Sequence, residues 1–335
     1  MKNHFTHIWV SLVLFFVCGG VFSQKALPTG ETIVHDPVMI KQDKTYYLFC
    51  TGHGISVYSS PDMKNWTAEK PVFAEQPQWA TTVAPDFKGH IWAPDVSYHN
   101  GQYYLYYSVS SFAKNTSAIG VATNKTLNPK DKDFKWIDHG IVIESVPNRD
   151  LWNAIDPNLV FDENNTAWLT FGSFWNGLKM VKLNADLVSI AKQPEEWYTV
   201  ARRERSFKLD DKDPGDAALE APFVFKKDGY YYLFLSWDYC CRGENSTYKV
   251  VVGRSKTVTG PYVDATGKEL FQGGGTLVIE GNKNWAGVGH NSTYMFDGKD
   301  YLIFHGYDNA KKGAPKLIIK EMKWNNGWPV VEPMK

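Results

Sequence analysis

The sequence predicts an all-β fold: a five-bladed β-propeller with four antiparallel strands per blade. Three observations carry that expectation. A composite pattern occurs five times: a polar or acidic residue, a short apolar run, a turn rich in Asp, Asn or Gly, and an aromatic-rich run. The copies read HDPVMIKQDKTYYLF (35–49), WAPDVSYHNGQYYLYY (92–107), NAIDPNLVFDENNTAWLTF (153–171), LEAPFVFKKDGYYYLF (219–234) and GHNSTYMFDGKDYLIF (289–304). Their leading residues, Asp36, Asp95, Asp156, Glu220 and His290, recur roughly every 60 to 70 residues, the spacing of blades. Finally, no convincing long amphipathic helix interrupts the pattern.

Each strand has its own justification. The apolar run after the leading residue is a first strand, the turn closes a hairpin, and the Tyr- and Phe-rich run is a second strand suited to a packed pleated surface. Third strands follow at a similar remove: ISVYSS, AIGVATN, LKMVKLN, YKVVVGRS and KLIIKEM. Fourth strands are expected near Trp66, Trp136, Trp197, Tyr262 and Trp328, where aromatic residues follow turn chemistry. Radial repetition of such sheets shields their edges. One propeller domain is therefore expected over residues 24–335.

Lys+Arg and Asp+Glu both number 36, so no general attraction to nucleic acid or anionic lipid follows from charge. Residues 1–23 read as a cleaved secretory signal: Lys2, an apolar stretch from Ile8 to Phe22, then Ser23. That stretch, about 15 residues, is short for a membrane span. Phe15, Phe16 and Val17 are too bulky for the alternative, a lipid anchor at Cys18. Export to the periplasm, cell surface or medium is expected. Beyond the signal lie Cys50, Cys240 and Cys241, an odd set without zinc-site spacing. A bridge between adjacent Cys240 and Cys241 is possible, with two reduced thiols as the default.

First strands line the hub of a propeller, so their opening residues should converge at one end of it. For one Asp-Pro alone, a turn-capping carboxylate is the better reading. Convergence changes this, because like charges crowded in a cavity are costly unless used or paired. Two carboxyls across a cavity are the equipment of glycoside hydrolysis, one protonating the departing oxygen and one activating water or attacking carbon. Most Tyr-Tyr runs belong to blade cores. Trp92 and Phe112, just outside such runs, are candidate platforms for a sugar face, with plain packing as the alternative.

At these residues the sequence resembles glycoside hydrolase family 43 and, within it, the endo-acting α-1,5-L-arabinanases. The resemblance runs from about Ile33 to Trp328 and is carried by VHDP, IWAPDVSYHNGQYYLYYSVSSF, NTSAIGVATN, AIDPNLVFD, GSFWNGLKMVKL, LEAPFV, YYYLFLSWDYCCRG and GHNS. It implies that Asp36 is the general base, Glu220 the general acid, and Asp156 the third carboxylate that orients the acid and modulates its pKa. It implies that His290 accompanies a metal ion in the central channel, calcium with mostly water ligands; alone, it would be read as a packed core histidine. Inversion of configuration is also implied, which demands carboxyls about 6.5–9.5 Å apart to admit a water.

Asp95 has no catalytic role to inherit and is expected in a turn or beside the site. His35 and Asn158 adjoin catalytic motifs and are candidates for binding sugar hydroxyls. Ser173, Trp175 and Asn176 either line the groove or form a blade turn. The expected substrate is arabinan and its oligosaccharides, and the expected state a monomer with no nucleic-acid partner and no membrane span. Three alternatives remain: an exo-acting arabinanase, arabinofuranosidase or β-xylosidase of the same family; a non-catalytic glycan-binding propeller; and a fructan-cleaving five-bladed enzyme.

Overall fold

The computed structural model describes residues 26–192, 195–206 and 212–335. The proposed signal segment lies outside them. Five antiparallel sheets follow one another along the chain. Blade 1 contains Val38–Gln42, Thr45–Cys50, Ser56–Ser60 and Asn65–Ala68. Blade 2 contains His90–His99, Gln102–Val109, Ser117–Asn124 and Ile137–Ser145. Blade 3 contains Asn158–Phe161, Ala167–Phe171, Leu178–Lys182 and Trp197–Ala201. Blade 4 contains Leu219–Lys227, Tyr230–Trp237, Lys249–Ser255 and Thr276–Glu280, and blade 5 contains Trp285–Phe296, Lys299–Asp308, Ala314–Asn325 and Trp328–Val331. Among the described residues the α-helix is a single turn, Ala80–Val83, and no helix is long and apolar enough to cross a membrane.

The expected five-bladed architecture is present, with two additions and one correction. Leu27–Pro28 adds a fifth strand to the outer edge of blade 1, and Gly52–His53 pairs with His90 and Ile91 at the inner edge of blade 2. The fourth strand of blade 4 is Thr276–Glu280, not the segment around Tyr262. Tyr262 sits in the preceding connection, 1% exposed, with its hydroxyl donating to the Val258 carbonyl. It is an aromatic plug between blades rather than a strand residue.

The aromatic second strands form cores between neighbouring blades. Phe49 and Tyr107 pack between blades 1 and 2, Tyr106 and Phe171 between 2 and 3, and Phe234 and Phe304 between 4 and 5. Trp168 and Tyr231 pack between blades 3 and 4, and Met39, Leu48, Ile303 and Leu317 fill the ring-closing interface between blades 5 and 1. The N-terminal segment straps that joint. Thr32 accepts from the Leu317 N–H (3.0 Å), Glu31 pairs with Lys316 Nζ (3.2 Å), and Leu27 lies opposite Trp66 on blade 1.

The hub has a fivefold device. Just before each first strand, or in a bulge within it, one residue adopts a left-handed backbone: Asp36 (φ 55°), Ala93 (41°), Asp156 (58°), Ala221 (57°) and His290 (51°). For non-glycine residues this conformation costs about 1–3 kcal/mol and persists only when surrounding contacts over-determine it. Here each N–H is tied to a neighbouring blade. Ala93 donates to Thr51 Oγ1 (2.8 Å), Asp156 to Ser108 Oγ (3.0 Å), Ala221 to Asp156 Oδ2 (3.1 Å), His290 to Ser236 Oγ (2.8 Å) and Asp36 to His305 Nδ1 (3.1 Å). Five strained residues are thereby aimed at one ring.

Candidate active site

A cleft of about 940 Å³ opens over this ring, the size of an organic-ligand pocket. Asp36, Asp156, Glu220 and His290 all line it, so carboxyls from blades 1, 3 and 4 do meet around a single cavity. Each is nearly buried, at 6–8% exposure for the three acids.

Asp36 is surrounded by donors. His35 Nδ1 lies 2.8 Å and His290 Nδ1 3.0 Å from Oδ1, and Thr51 Oγ1 donates to Oδ2. Burial alone would raise its pKa, but the two imidazoles overcome that and hold it well below the ordinary carboxyl range. For His290, burial disfavours the charged form, yet Asp36, Asp156 and Glu220 together lift its pKa to about 9. Near neutrality the pair is a buried carboxylate–imidazolium. His305 is pushed the other way, by burial and then by His35, and is neutral.

Glu220 has a different environment. Ser173 Oγ donates to Oε2 and Tyr248 Oη to Oε1, each at 2.7 Å. Burial, followed by the Glu220 and Asp156 charges, raises the Tyr248 phenol well above its usual range, keeping its proton in place. Hydroxyls can donate to a carboxylate and can also accept from a carboxylic acid. Ser173 and Tyr248 can therefore hold Glu220 in place through both protonation states. Asp156 is displaced well above the ordinary carboxyl range, mainly by burial; His290 opposes this, Glu220 and Asp36 add to it, and the Ala221 N–H opposes it again. Because Ala221 follows Glu220 directly, Asp156 grips the backbone beside the second carboxyl.

The remaining sequence-derived candidates separate. His35, Trp92, Phe112, Ser173 and Trp175 line the cleft; Phe112 is 75% exposed at its mouth, whereas Trp175 is 1% exposed. Asn158 is placed elsewhere: its Nδ2 donates to Asp95 Oδ1 (3.2 Å) and its Oδ1 accepts from Val224 N (2.8 Å), clasping blades 2, 3 and 4 inside the hub. Asn176 also stands outside the cleft lining, donating its N–H to Leu151 O and accepting from Lys179 Nζ (3.0 Å) through its carbonyl. Asp95 occupies the narrow channel below, where burial lifts its pKa to about 7. Cys240 and Cys241, with reduced thiols as the default expectation, are instead bonded to each other on the cleft wall.

Sequence reasoning missed Thr51, Tyr248, His305 and Tyr307. The signal for two of them was present: Thr51, Ser108, Ser236 and His305 lie in or just past their aromatic second strands, each paired with the residue that precedes a left-handed hub position, with Gly172 at that place in blade 3.

Two places deserve a test for a metal. His35, Asp36 and His305 offer ligand atoms within 4.8 Å of one another. They do not fit a metal, because His305 Nδ1 accepts the Asp36 N–H and the Nδ1 of His35 is engaged by Asp36. The hub channel below is more suitable. Its cavity of about 10 Å³ holds one small species, and Asp36, Asp95, Asp156, His290 and Asn291 line it. Asn291 Oδ1 is buried there without a hydrogen-bond partner. An orphaned oxygen among carboxylates is a donor set for a hard cation, which prefers oxygen to an imidazole nitrogen; the contact of His290 Nδ1 with Asp36 leaves Nε2 as the one ring nitrogen it could offer.

Known proteins share this fold. The model for glycosyl hydrolases family 43 matches residues 26–329. The extracellular exo-α-(1→5)-L-arabinofuranosidase of Cellvibrio japonicus is 53% identical, covering 99% of this chain and 94% of its own length. The extracellular endo-α-(1→5)-L-arabinanase 1 of Bacillus subtilis is 40% identical, covering 97% and 96%. The solved Cellvibrio cellulosa α-L-arabinanase in complex with arabinohexaose superposes with a TM-score of 0.89 at 56% identity, covering 90% of this chain and 96% of that one. A five-bladed propeller with three converging carboxyls, matched over nearly its whole length, makes this chain a member of glycoside hydrolase family 43.

Proposed function

We propose that the protein hydrolyses the α-1,5-L-arabinofuranosidic bonds of arabinan with inversion. The observation that carries this reading is the opposite dressing of two carboxyls. Asp36, held ionised by N–H and O–H donors, accepts the proton of the attacking water; Glu220, held between two hydroxyls, protonates the departing sugar oxygen. Asp156, pushed toward its protonated form, orients Glu220 through the Ala221 N–H and limits the negative charge around it. Phe112 and Trp92 offer faces for sugar rings on the cleft wall. A calcium ion in the hub channel, near Asn291 Oδ1 and with His290 beside it, would add fixed positive charge beneath the three acids. The chain acts as an exported monomer, in keeping with the two relatives named extracellular.

The resemblance of the NTSAIGVATN and CCRG stretches to endo-arabinanases supports internal cleavage. A second reading, release from a chain end, has a specific observation in its favour: the relative at 53% identity is named an exo-enzyme, while the endo-enzyme is 40% identical. Digestion of linear arabinan, with products resolved by length and anomeric form, tests everything together. Mixed oligosaccharides from the first minutes mean internal attack, and one fixed short product means terminal attack. In either mode the first-formed anomer is inverted, and Glu220→Gln lowers kcat about 10²- to 10⁴-fold. Unchanged cleavage by Glu220→Gln would remove Glu220 as the acid.

A further inference from the structure

Asp36 is linked to the cleft wall by a chain of hydrogen bonds whose donors and acceptors follow from the geometry once both imidazoles are neutral. Asp36 N–H donates to His305 Nδ1 (3.1 Å), so the neutral His305 carries its proton on Nε2, 3.2 Å from Tyr307 Oη. His35 Nδ1 faces the ionised Asp36 Oδ1 at 2.8 Å and carries the proton there, leaving Nε2 as acceptor 2.7 Å from the same Tyr307 Oη. Tyr307 must then donate to His35 and accept from His305. It accepts once more, from the backbone N–H of Cys241 (2.8 Å). One hydroxyl thus receives two protons and gives one, with both lone pairs and its hydrogen engaged. His35 and His305 also stack at 4.0 Å between ring centroids, so neither ring turns independently.

The Cys241 N–H is the one contact in this chain that comes from a loop rather than from a hub strand or the segment leading into one, and that loop holds the disulfide. Cys241 has a left-handed backbone (φ 64°) and lies exposed on the cleft wall, with Sγ 3.8 Å from His35 Nε2. We propose that Tyr307 is a positioning residue for the catalytic base, locking the His35 tautomer that holds Asp36, and that the Cys240–Cys241 bond keeps Tyr307 in that role. This rests on Asp36 being the base. Opening the bond lets the Cys241 N–H swing away and frees Tyr307 to turn its hydroxyl, so His35 no longer has a unique proton arrangement facing Asp36. The opening step is a two-electron reduction. A dithiol passes two electrons and two protons to the two Sγ atoms and closes to its own cyclic disulfide.

The test uses the whole protein, linear arabinan and dithiothreitol, with thiol labelling to prove that Cys240 and Cys241 have opened; Cys50 is buried and free throughout. Reduction is expected to lower kcat roughly 10- to 100-fold with KM within a factor of about three, and reoxidation to restore it. Tyr307→Phe should show the same kcat loss and no further response to dithiothreitol, the non-additivity of two groups acting through one path. Unchanged kcat after proven reduction overturns the proposal, as does a Tyr307→Phe variant with wild-type kcat. An effect on KM alone, or an undiminished dithiothreitol response in Tyr307→Phe, also overturns it, since the disulfide would then be only a wall of the cleft. Asp36→Asn separates the two levels: full activity there refutes the base assignment itself, whereas its inactivity beside an active Tyr307→Phe refutes the relay alone.

Discussion

Replacing His290 by Gln should remove a pH-dependent share of folding stability that can be computed from the site. The ordinary imidazole value of 6.5 rises to about 9 in the folded chain, and at about 1.4 kcal/mol per pH unit this amounts to about 3 kcal/mol. Because the folded pKa is the higher, the stabilisation is complete below pH 6.5, where folded and unfolded chains are both protonated. It declines as pH rises from 6.5 and is gone above about 9, where neither holds the proton. Gln keeps a hydrogen bond to Asp36 but not the charge. The variant should melt roughly 6 °C below the parent at pH 6, at roughly 2 °C per kcal/mol for a large domain, and the gap should close toward pH 10. Thermal melts across that range, with a chelator present so that no cation substitutes for the imidazolium, give the measurement. A gap that stays constant with pH would refute the buried ion pair as its source.

Two further substitutions separate cleft from scaffold. Phe112→Ala removes a ring that is 75% exposed at the cleft mouth, so KM for arabinan should rise about 3- to 10-fold while the melting temperature holds; an unchanged KM would exclude the ring as a sugar platform. Asn158→Ala leaves Asp95 Oδ1 and the Val224 N–H without their partner and should lower stability by about 2–4 kcal/mol in denaturant titration, with KM unaltered. A raised KM at native stability would return Asn158 to the substrate.

The architecture was legible because every blade repeats the same local physics: an apolar first strand, a polar turn and an aromatic second strand whose rings pack between blades. The faint fourth strands were legible only where an aromatic residue happened to lie in or beside them, as Trp66, Trp136, Trp197 and Trp328 do. Tyr262 misled because burial of an aromatic ring after a turn signals packing, not pairing, and the connection that carries it adds a short 3-10 turn at Leu270–Gln272 before Thr276. The three catalytic candidates were legible from their motifs. The groups that orient them were not: Tyr248 sits just before the third strand of blade 4 and Tyr307 near the end of the second strand of blade 5, in a sequence whose tyrosines are mostly core, and only the fold distinguishes a phenol aimed at a carboxylate from one aimed at a neighbouring blade.

The repeat frame explains why three acids at superficially similar places behave differently. Aligned by acid, the leading residues are Asp36, Asp95, Asp156 and Glu220; aligned by the proline that follows the left-handed residue, they are Asp36, Ala93, Asp156 and Ala221. The proline marks the backbone constraint, so the second alignment is the structural one. Asp95 lies two residues further along its strand, in the narrow channel, where its carboxylate caps the Leu159 N–H (2.8 Å) and joins blade 2 to blade 3. Glu220 stands one residue before the left-handed position and reaches the cleft from a different direction. In blade 3 the equivalent place, just past the second strand, is Gly172, which has no hydroxyl to receive the next blade's N–H, and Asp156 Oδ2 takes its place on Ala221. The third carboxylate thus fills a vacancy in the hub's hydrogen-bond ring, and in filling it fixes the backbone on which Glu220 is mounted.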